Sequence, residues 1–252
     1  YSSLAGLSYN TATKLEYYIK ITDLKKITPY WLYTYIFDAA KIYSDQKKID
    51  SIRKILSKID NLDGVPFDKT ALAYRNIAQT YLYEKNITEA KKEMAKIGKI
   101  KNGKMDEYVM AFVNNAATFI SFQLFDEAQQ EYKDALNVKG ITDNLKAYVY
   151  YNNGNMYYNK SNAAEARKFW DKVTNLKLDS SYFGYKMKTL ELIGKSFYAE
   201  KNYKEAAKSF KQMVNLKESP HSERLIARYF LGQVLTIDNK LNEASDEYET
   251  II

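Results

Sequence analysis

The sequence predicts an all-α chain of antiparallel helix pairs, and three observations support this prediction. Lys, Glu, Ala and Leu, which favour helices, are abundant, whereas only 9 Gly and 3 Pro are present to break them. Apolar residues recur at intervals of three and four, as in WLYTYIFDAAKIY (31–43), which is the spacing of one helix face. The third observation is a repeated segment, since EKNITEA (84–90) returns almost unchanged as EKNYKEA (200–206). Such a repetition is typical of chains built from stacked helical units.

The period of the repeat is set by alanines that end a Glu-Ala pair and lie 38, 38, 40 and 38 residues apart: Ala90, Ala128, Ala166, Ala206 and Ala244. A small residue lies twelve positions before each of them: Ala78, Ala116, Gly154, Gly194 and Gly232. A bulky residue lies four positions after each of them: Met94, Tyr132, Trp170, Phe210 and Tyr248. An earlier repeat has Ala40, Tyr43, Ile52 and Leu56 at matching places, so the sequence predicts six repeats. Small residues let two helices approach closely, and a bulky residue fills the space beside them.

The predicted elements follow in order along the chain. Residues 1–30 form an N-terminal helical cap or a partial repeat, with an amphipathic helix over KLEYYIKITDLKK (14–26). Thr28-Pro29 and Ser219-Pro220 fit an N-cap followed by proline at the first helical position. The six repeats span about 31–62, 69–100, 105–138, 143–176, 181–217 and 220–252.

Within each repeat, a short polar turn such as YEKN (83–86) separates the first helix from the second. Thr88 or Asp126 is predicted to cap the second helix. A glutamate is predicted to lie in the first turn of that helix, where the helix dipole favours negative charge: Glu89, Glu127, Glu165, Glu205 and Glu243. Glycines mark the predicted ends of second helices: Gly64, Gly98 and Gly140.

This register resembles the tetratricopeptide repeat (TPR), whose signature places a large residue, Leu-Gly, Tyr, Ala, Phe and a closing Pro at set offsets. The resemblance covers residues 31–252 and implies a right-handed superhelical solenoid of antiparallel helix pairs, with six repeats and an N-terminal helical cap. Most repeats have the large first residue: Ile36, Tyr74, Phe112, Tyr150 and Leu190. Arg228 departs from the signature at that position, and most repeats lack the closing proline. The period of 38–40 residues is also longer than that of the family.

Composition and motifs argue against an enzyme. The chain has no Cys and a single His, His221, which excludes disulfides and thiol nucleophiles and makes zinc clusters and His-based triads improbable. No GxGxxG, GxxxxGK[ST], HExxH or GxSxG motif is present. We therefore expect a non-enzymatic protein without cofactor or metal. No apolar run is long enough for a transmembrane segment.

The net charge of +7 raises the question of an anionic partner. The densest basic segment is KKEMAKIGKIKNGK (91–104), which could contact nucleic acid or an anionic surface. We favour its interpretation as a solvated helix edge, so nucleic acid is not the expected partner. The Lys/Asn/Tyr/Ile bias suggests a bacterial protein. The lack of Cys and of an initial Met favours the periplasm or cell envelope over the cytoplasm.

The resemblance implies that the first helix of each pair lines a concave groove. Asn76, Asn114 and Asn152 each lie two positions before the small residue of their repeat, 38 residues apart. An amide offers a donor and an acceptor, so these side chains could pair with the backbone of an extended peptide. The same groove is predicted to contain other polar and aromatic residues: Arg75, Gln79, Tyr148, Tyr151, Asn155 and Tyr158. The alternative is that asparagine only occupies a solvated helix face.

We therefore predict a protein- or peptide-binding adaptor that uses the groove. Tyr43, Tyr81 and Tyr157 are assigned to the core by their repeat position. A clamp for a C-terminal carboxylate, known in the resembling family, is not expected, because Tyr148 and Asn152 stand where basic groups are needed. The alternative function is a structural scaffold that self-associates through its C-terminal end, which has no polar capping helix. A solenoid that binds nucleic acid or the envelope surface is the third hypothesis.

Overall fold

The computed structural model describes residues 10–24, 27–101, 103–216 and 220–251. These residues form α-helices and two 3₁₀ segments, Ser57–Asn61 and Lys96–Lys99, and contain no strand. The helices are α1 (Thr11–Thr22), α2 (Pro29–Asp45), α3 (Ile49–Leu56), α4 (Phe67–Tyr83), α5 (Ile87–Ala95), α6 (Met105–Ser121), α7 (Phe125–Leu136), α8 (Asp143–Asn159), α9 (Ala163–Thr174), α10 (Phe183–Ala199), α11 (Tyr203–Asn215), α12 (His221–Ile237) and α13 (Leu241–Glu249). The all-helical prediction is confirmed. No helix among the described residues is long and apolar enough to cross a membrane.

The helices belong to two compact units, Tyr1–Glu131 and Tyr132–Ile252, called here the N-terminal and C-terminal units. In the N-terminal unit α2 packs on α3 and α4 packs on α5, while α4 also contacts α3 and α6. In the C-terminal unit α8 packs on α9, α10 on α11 and α12 on α13. Helix α10 contacts both α8 and α12, so the first helices of successive pairs are neighbours there.

The turn between the two helices of a pair has one recurring geometry. Its central residue has a positive φ between 56° and 61° although it is not glycine: Lys47, Lys85, Gln123, Ser161, Lys201 and Asn239. In the second of these turns, Lys85 N donates to Leu82 O at 2.9 Å and Asn86 N donates to Tyr81 O at 2.8 Å. These bonds satisfy carbonyls at the helix end, as in a Schellman motif. Because the turn is so short, the two helices of a pair run antiparallel.

The residue after this left-handed position is the N-cap of the second helix, and in three pairs it is asparagine. Asn86, Asn162 and Asn202 accept hydrogen bonds from the backbone N–H three residues further on, at 3.2, 3.1 and 3.4 Å. The prediction that Thr88 or Asp126 caps the helix is therefore wrong, because both lie inside the first turn. The predicted acidic first turns are confirmed in α5, α7, α9, α11 and α13.

Prolines and glycines mark several helix ends. Helix α2 begins at Pro29, as predicted, although the Thr28 side chain makes no capping hydrogen bond. Helix α12 begins at His221 with Pro220 as its N-cap, so the prediction of proline at the first helical position is wrong there. Ser219, like Lys25 and Lys26 of the predicted first helix, lies outside the described residues. Gly64 and Gly140 have φ of 76° and 80° in loops between pairs, while Gly98 lies in a 3₁₀ segment.

Small residues on first helices contact bulky residues on second helices, as the spacing predicts. A Cβ atom added to Gly154 would lie 2.3 Å from Trp170 Nε1. At Gly194 and Gly232 an added Cβ would lie 2.7 Å from Phe210 and 2.6 Å from Tyr248. Each aromatic ring therefore occupies the space that a side chain would take, which fixes the separation of the two helices.

The tyrosines assigned to the core lie at its edge. Tyr43, Tyr81 and Tyr157 are half-buried and pack against clusters of buried residues. A tyrosine at such a place buries its ring and keeps its hydroxyl near water. Arg228, which departs from the family signature, pairs with Glu247 of α13 at 2.6 Å, so an ion pair replaces the apolar contact at that position.

Two arginines join one helix pair to the next in the same way. Arg167 of α9 donates to Ser196 Oγ at 3.1 Å, pairs with Glu200 at 2.9 Å and lies 4.2 Å from the Phe197 ring centroid. Arg53 of α3 repeats this arrangement with α4: it bonds Thr80 Oγ1 at 2.7 Å, pairs with Glu84 and lies 3.8 Å from the Tyr81 ring centroid. A planar guanidinium can hold a hydroxyl, a carboxylate and a ring at once, which fixes how the second helix meets the next first helix.

Candidate functional site

The predicted groove residues divide between the two units. Arg75, Asn76 and Gln79 lie on α4 and Asn114 lies on α6, all in the N-terminal unit. The C-terminal unit holds the remaining five on α8: Tyr148, Tyr151, Asn152, Asn155 and Tyr158. Both groups lie on first helices of pairs. The candidate site therefore consists of one surface in each unit.

In the N-terminal unit, a cavity of about 740 Å³ lies between α2, α3 and α4; we call it the α2–α4 pocket. Asn76 and Gln79 line it, as do apolar side chains from the neighbouring helices, among them Phe37, Ile52 and Leu56. Its polar lining on α2 and the following turn comprises Lys41, Ser44, Asp45 and Lys47. A cavity with an apolar lining and a few amides is suited to a side chain and its adjoining backbone.

The amides of this pocket have unused hydrogen-bonding capacity. Neither Asn76 nor Gln79 forms a side-chain hydrogen bond with any residue that the structure describes. Asn114 is exposed on α6 and likewise makes no side-chain hydrogen bond within the described ranges. An amide that is half-buried without a partner gains free energy when a ligand supplies one.

Arg75 was grouped with these amides by sequence, but it does not line the α2–α4 pocket. It follows Tyr74 and precedes Asn76 on the helix, so its side chain is turned by about 100° from that of Asn76. Burial lowers the pKa of the Arg75 guanidinium, which still stays protonated near neutral pH. Arg75 is thus a half-buried positive charge beside the pocket.

In the C-terminal unit, four tyrosines form a cluster across α8 and the start of α10. The Tyr185 ring lies 6.0 Å from Tyr148, 5.3 Å from Tyr151 and 5.9 Å from Tyr182, measured between centroids. Burial raises the pKa of the Tyr148 and Tyr185 hydroxyls, which keeps them protonated and able to donate. Sequence reasoning identified Tyr148 and Tyr151 and missed Tyr182 and Tyr185, because these belong to the next repeat and its preceding loop.

The asparagines of α8 differ in what they can offer a ligand. Asn152 Nδ2 donates to Tyr148 O at 2.7 Å, so the helix uses part of its donor capacity and Oδ1 stays available as an acceptor. Asn155 is half-buried, and the Tyr158 ring lies 5.4 Å from that of Trp170, next to α9. Asn153 is fully buried, and neither of its amide atoms has a hydrogen-bond partner among the described residues. Asn152 can therefore offer a ligand mainly the acceptor Oδ1.

Helix α10 carries charged residues that the sequence analysis did not select. Glu191 pairs with Lys188 at 3.0 Å and with Lys195 at 2.5 Å; we call these three residues the α10 triad. Burial would raise the pKa of Glu191, but hydrogen bonds and charge from Lys195 and Lys188 outweigh it and lower the pKa. The triad lies 40 residues after Tyr148, Tyr151 and Asn155, respectively, so the repeat register could have identified it.

At the positions that match the α10 triad, helix α12 continues this surface with uncharged side chains. Phe230 lies under Lys195, whose Nζ is 4.6 Å from the ring centroid. Gln233 Nε2 donates to the Tyr229 hydroxyl at 2.9 Å. The surface formed by α8, α10 and α12 in the C-terminal unit is called the α8–α12 face below. It combines tyrosine rings, amides and one charged triad.

Three of the six lysines in the basic segment 91–104 contact neighbouring acids. Lys92 pairs with Glu89 at 2.5 Å and Lys96 with Glu93 at 2.8 Å. Lys91 lies 4.0 Å from Glu127 of α7. These contacts agree with a solvated helix edge, since they reduce the positive field of the segment.

No protein-family model matches the sequence, and no curated protein matches it. Among solved structures, the C-terminal part of a TPR repeat-containing protein from Cytophaga hutchinsonii is similar over 96% of this chain and 89% of its own, with a TM-score of 0.50 and 17% identity. The fold is therefore TPR-like, an all-helical repeat architecture, and the predicted resemblance is confirmed.

Two further solved structures show weaker similarity to the chain. PilF of Pseudomonas aeruginosa is 19% identical over 73% of this chain and 76% of its own, with a TM-score of 0.44. A TPR protein from Parabacteroides merdae is 14% identical over 87% and 78%, with a TM-score of 0.40. At these identities the similarity concerns the fold alone.

Proposed function

We propose that the protein is a non-enzymatic adaptor that binds a protein or an extended peptide segment on the first helices of its pairs. The observation that carries this proposal is the α2–α4 pocket, where free amides of Asn76 and Gln79 adjoin an apolar lining. An amide can accept from and donate to a peptide backbone, while the apolar lining takes a neighbouring side chain. We propose a non-enzymatic role because the sequence contains no GxGxxG, GxxxxGK[ST], HExxH or GxSxG motif.

The α8–α12 face supports the same function with different side chains. Tyrosine presents a large rigid ring and a polar tip at a low cost in conformational entropy, which is why it is common in recognition surfaces. The cluster around Tyr185 places three other such rings within 6.0 Å of it. Amides at Asn152 and Asn155 lie on the same helix as two of these rings.

A peptide array would test the proposal with the wild type and the triple variant Asn76→Ala, Asn114→Ala and Asn152→Ala. We expect the wild type to bind a subset of peptides and the variant to lose roughly tenfold or more in affinity, at about 1 kcal/mol per hydrogen bond. Asn137→Ala, which removes an exposed amide after α7, is the matched control and should bind like the wild type. Circular dichroism would confirm that all variants are folded.

The outcome decides between the two interpretations of the asparagines. Equal binding by the triple variant and the wild type would show that the amides only occupy a solvated face. An array without any bound peptide would contradict the adaptor proposal itself and favour the scaffold.

Self-association is the second candidate function, and exposed apolar residues of the last helix pair favour it. Ile237 is 46% exposed and Leu241 is 59% exposed, with Ile226 and Tyr229 exposed on the same first helix. Sedimentation velocity over a range of concentrations tests this candidate. Concentration-dependent mass that is lost on Leu241→Lys would support a scaffold, and a constant monomer mass would exclude it.

A further inference from the structure

The α10 triad exposes two positively charged groups on the α8–α12 face. Glu191 is the buried member, since its side chain is only 13% exposed, whereas those of Lys188 and Lys195 are 52% and 43% exposed. Both ammonium groups contact the same carboxylate, one at each oxygen. Each ammonium has three N–H donors, so neither is exhausted by this contact. A molecule approaching α10 meets the two ammonium groups before it meets the carboxylate.

The two lysines differ in their surroundings. Lys188 also faces Glu223 at the start of α12, and both line a cavity of about 290 Å³ together with Glu191. Lys195 has Glu191 as its acidic partner and lies against the Phe230 ring on the other side. The positive charge is thus balanced at the Lys188 end of the triad and in excess at the Lys195 end.

Neighbouring helices add no charge at the matching positions. On α8 these positions hold Tyr148, Tyr151 and Asn155, and on α12 they hold Ile226, Tyr229 and Gln233. Because one carboxylate, Glu191, is shared between two ammonium groups, Lys195 is only partly compensated within an aromatic and amide surface. Electrostatic complementarity of this kind selects between partners more than it raises affinity.

We propose that the α8–α12 face selects a partner segment with a side-chain carboxylate next to an aromatic residue, and that the carboxylate binds Lys195 beside Phe230. This inference rests on the proposed adaptor function and specifies its partner. The segment is bound internally rather than by its C-terminus, because the acidic group is on a side chain. Its aromatic residue packs among the tyrosine rings of α8 and α10.

Glu191 then acts as an internal competitor for the ligand. Its carboxylate occupies part of the donor capacity of both lysines, so its removal leaves the ammonium groups free for an external carboxylate. Glu191→Gln is therefore expected to strengthen the binding of an acidic segment, whereas Lys195→Gln is expected to weaken it. A purely structural role for the triad predicts that both substitutions weaken binding or leave it unchanged.

The probes are fluorescein-labelled peptides of Glu-Tyr-Gly, Gln-Tyr-Gly and Lys-Tyr-Gly repeats with a blocked, amidated C-terminus. Fluorescence anisotropy should show the Glu peptide binding roughly five times more tightly than the Gln peptide, and the preference should fall with added salt. We expect Lys195→Gln to remove this preference, Lys195→Arg to keep it and Glu191→Gln to increase it roughly threefold. Lys211→Gln on α11 removes the same charge from an exposed second helix and should change nothing.

Each outcome has a distinct meaning. If the Glu and Gln peptides bind equally and both lose affinity with Tyr148→Ala, the face binds peptides without selecting acids, and only this inference is overturned. A preference for the Glu peptide that survives Lys195→Gln overturns the assignment to Lys195. If none of the peptides binds, the inference and the adaptor proposal on which it rests both fail for this face.

Discussion

The two compact units use different residue pairs to pack one helix against the next. The N-terminal unit has alanine at the small position of its first helices, namely Ala40, Ala78 and Ala116, whereas the C-terminal unit has glycine there, namely Gly154, Gly194 and Gly232. The glycines face Trp170, Phe210 and Tyr248, whose rings leave no room for a Cβ atom. By the repeat register, Ala40 and Ala78 correspond to the smaller Leu56 and Met94, whereas Ala116 corresponds to the aromatic Tyr132. The repeat thus keeps a small residue on the first helix and a bulky one on the second, and leaves their identities open.

The same freedom applies to the surfaces. In this register the amides of Asn76 and Gln79 recur on α8 as Asn152 and Asn155. The positions of Leu72 and Arg75 hold Tyr148 and Tyr151 on α8, and Lys188 and Glu191 on α10. Because packing depends on the other face of each helix, these positions can change chemistry without changing the fold. The exposed residues of these surfaces and the residues that pack the helices are therefore different.

The largest loss of stability is expected from Gly154→Ala. The added Cβ would lie 2.3 Å from Trp170 Nε1, a distance that requires α8 and α9 to move apart, so we expect a loss of about 3 kcal/mol in the free energy of unfolding. The reciprocal Ala78→Gly removes a buried Cβ that has room, and should cost about 1 kcal/mol. Guanidinium unfolding followed by circular dichroism measures both.

Gly184→Ala is the matched control for these variants. Nothing lies within 4 Å of a Cβ atom at Gly184 in α10, so this substitution should stabilise by about 0.5 kcal/mol. Similar unfolding midpoints for Gly154→Ala and Gly184→Ala would show that the Trp170 ring can pack against α8 without a glycine at position 154.

The arginine contacts offer a feature in which the two units agree. Arg167→Ala and Arg53→Ala should each destabilise their unit by about 2 kcal/mol, since each removes a hydrogen bond, an ion pair and a ring contact from a mostly buried guanidinium. Arg167→Lys keeps the charge but cannot hold Ser196 and Glu200 in a plane, so it should recover less than half of the loss. Differential scanning calorimetry of the three variants measures the effect, and a full recovery by lysine would mean that only the charge matters.

The N-cap residue of the second helix differs among the pairs, and substituting it should change the stability of that helix. Lys240, which precedes α13, makes no side-chain capping bond, whereas Asn202 in the equivalent turn caps α11. Lys240→Asn should therefore stabilise by about 1 kcal/mol, and Asn202→Ala should destabilise by a similar amount. Thermal unfolding of both variants tests the pair; no gain from Lys240→Asn would indicate that the turn at Asn239 directs the side chain away from the helix.

The smallest expected effect is a pH dependence that belongs to the C-terminal unit. The pKa of Glu191 is lowered in the folded state below its ordinary value of 4.5, so its stabilising contribution is complete above that value and is lost as the pH falls below it. Glu191→Gln should therefore be less stable than the wild type near neutral pH, and this difference should shrink as the pH falls through the acidic range, because only the ionised carboxylate holds the lysines. Urea unfolding of the wild type and the variant across this range measures the difference, and equal profiles would contradict a stabilising role of the carboxylate.

Sequence periodicity was sufficient for the helix pairs and for much of their packing. The spacing of small and bulky residues predicted which side chains meet, as at Gly154 and Trp170, because that spacing reflects contacts repeated in every pair. The N-cap was assigned to Thr88 rather than Asn86, since both residue types can cap a helix and the turn geometry decides which one is in place. The turn residues with positive φ are mostly Lys, Gln and Ser. These residue types rarely adopt that conformation, so the sequence did not predict their positions.

The candidate site was predicted in part. The register identified Asn76, Gln79, Tyr148 and Tyr151, but a one-dimensional pattern does not contain the distances between helices. Only the tertiary structure showed that Asn152 bonds its own helix and that Arg75 lies outside the pocket.

The sequence by itself determined the helical class, the spacing of the repeat and the small and bulky positions at which paired helices pack, because these follow from local spacing and side-chain volume. Only the tertiary structure decided where a cavity opens beside Asn76, how Lys188 and Lys195 share Glu191, and how Arg53 and Arg167 reach the following helix pair. These features depend on the angle and distance between packed helices. Such geometry emerges from many contacts at once, and no single stretch of sequence encodes it.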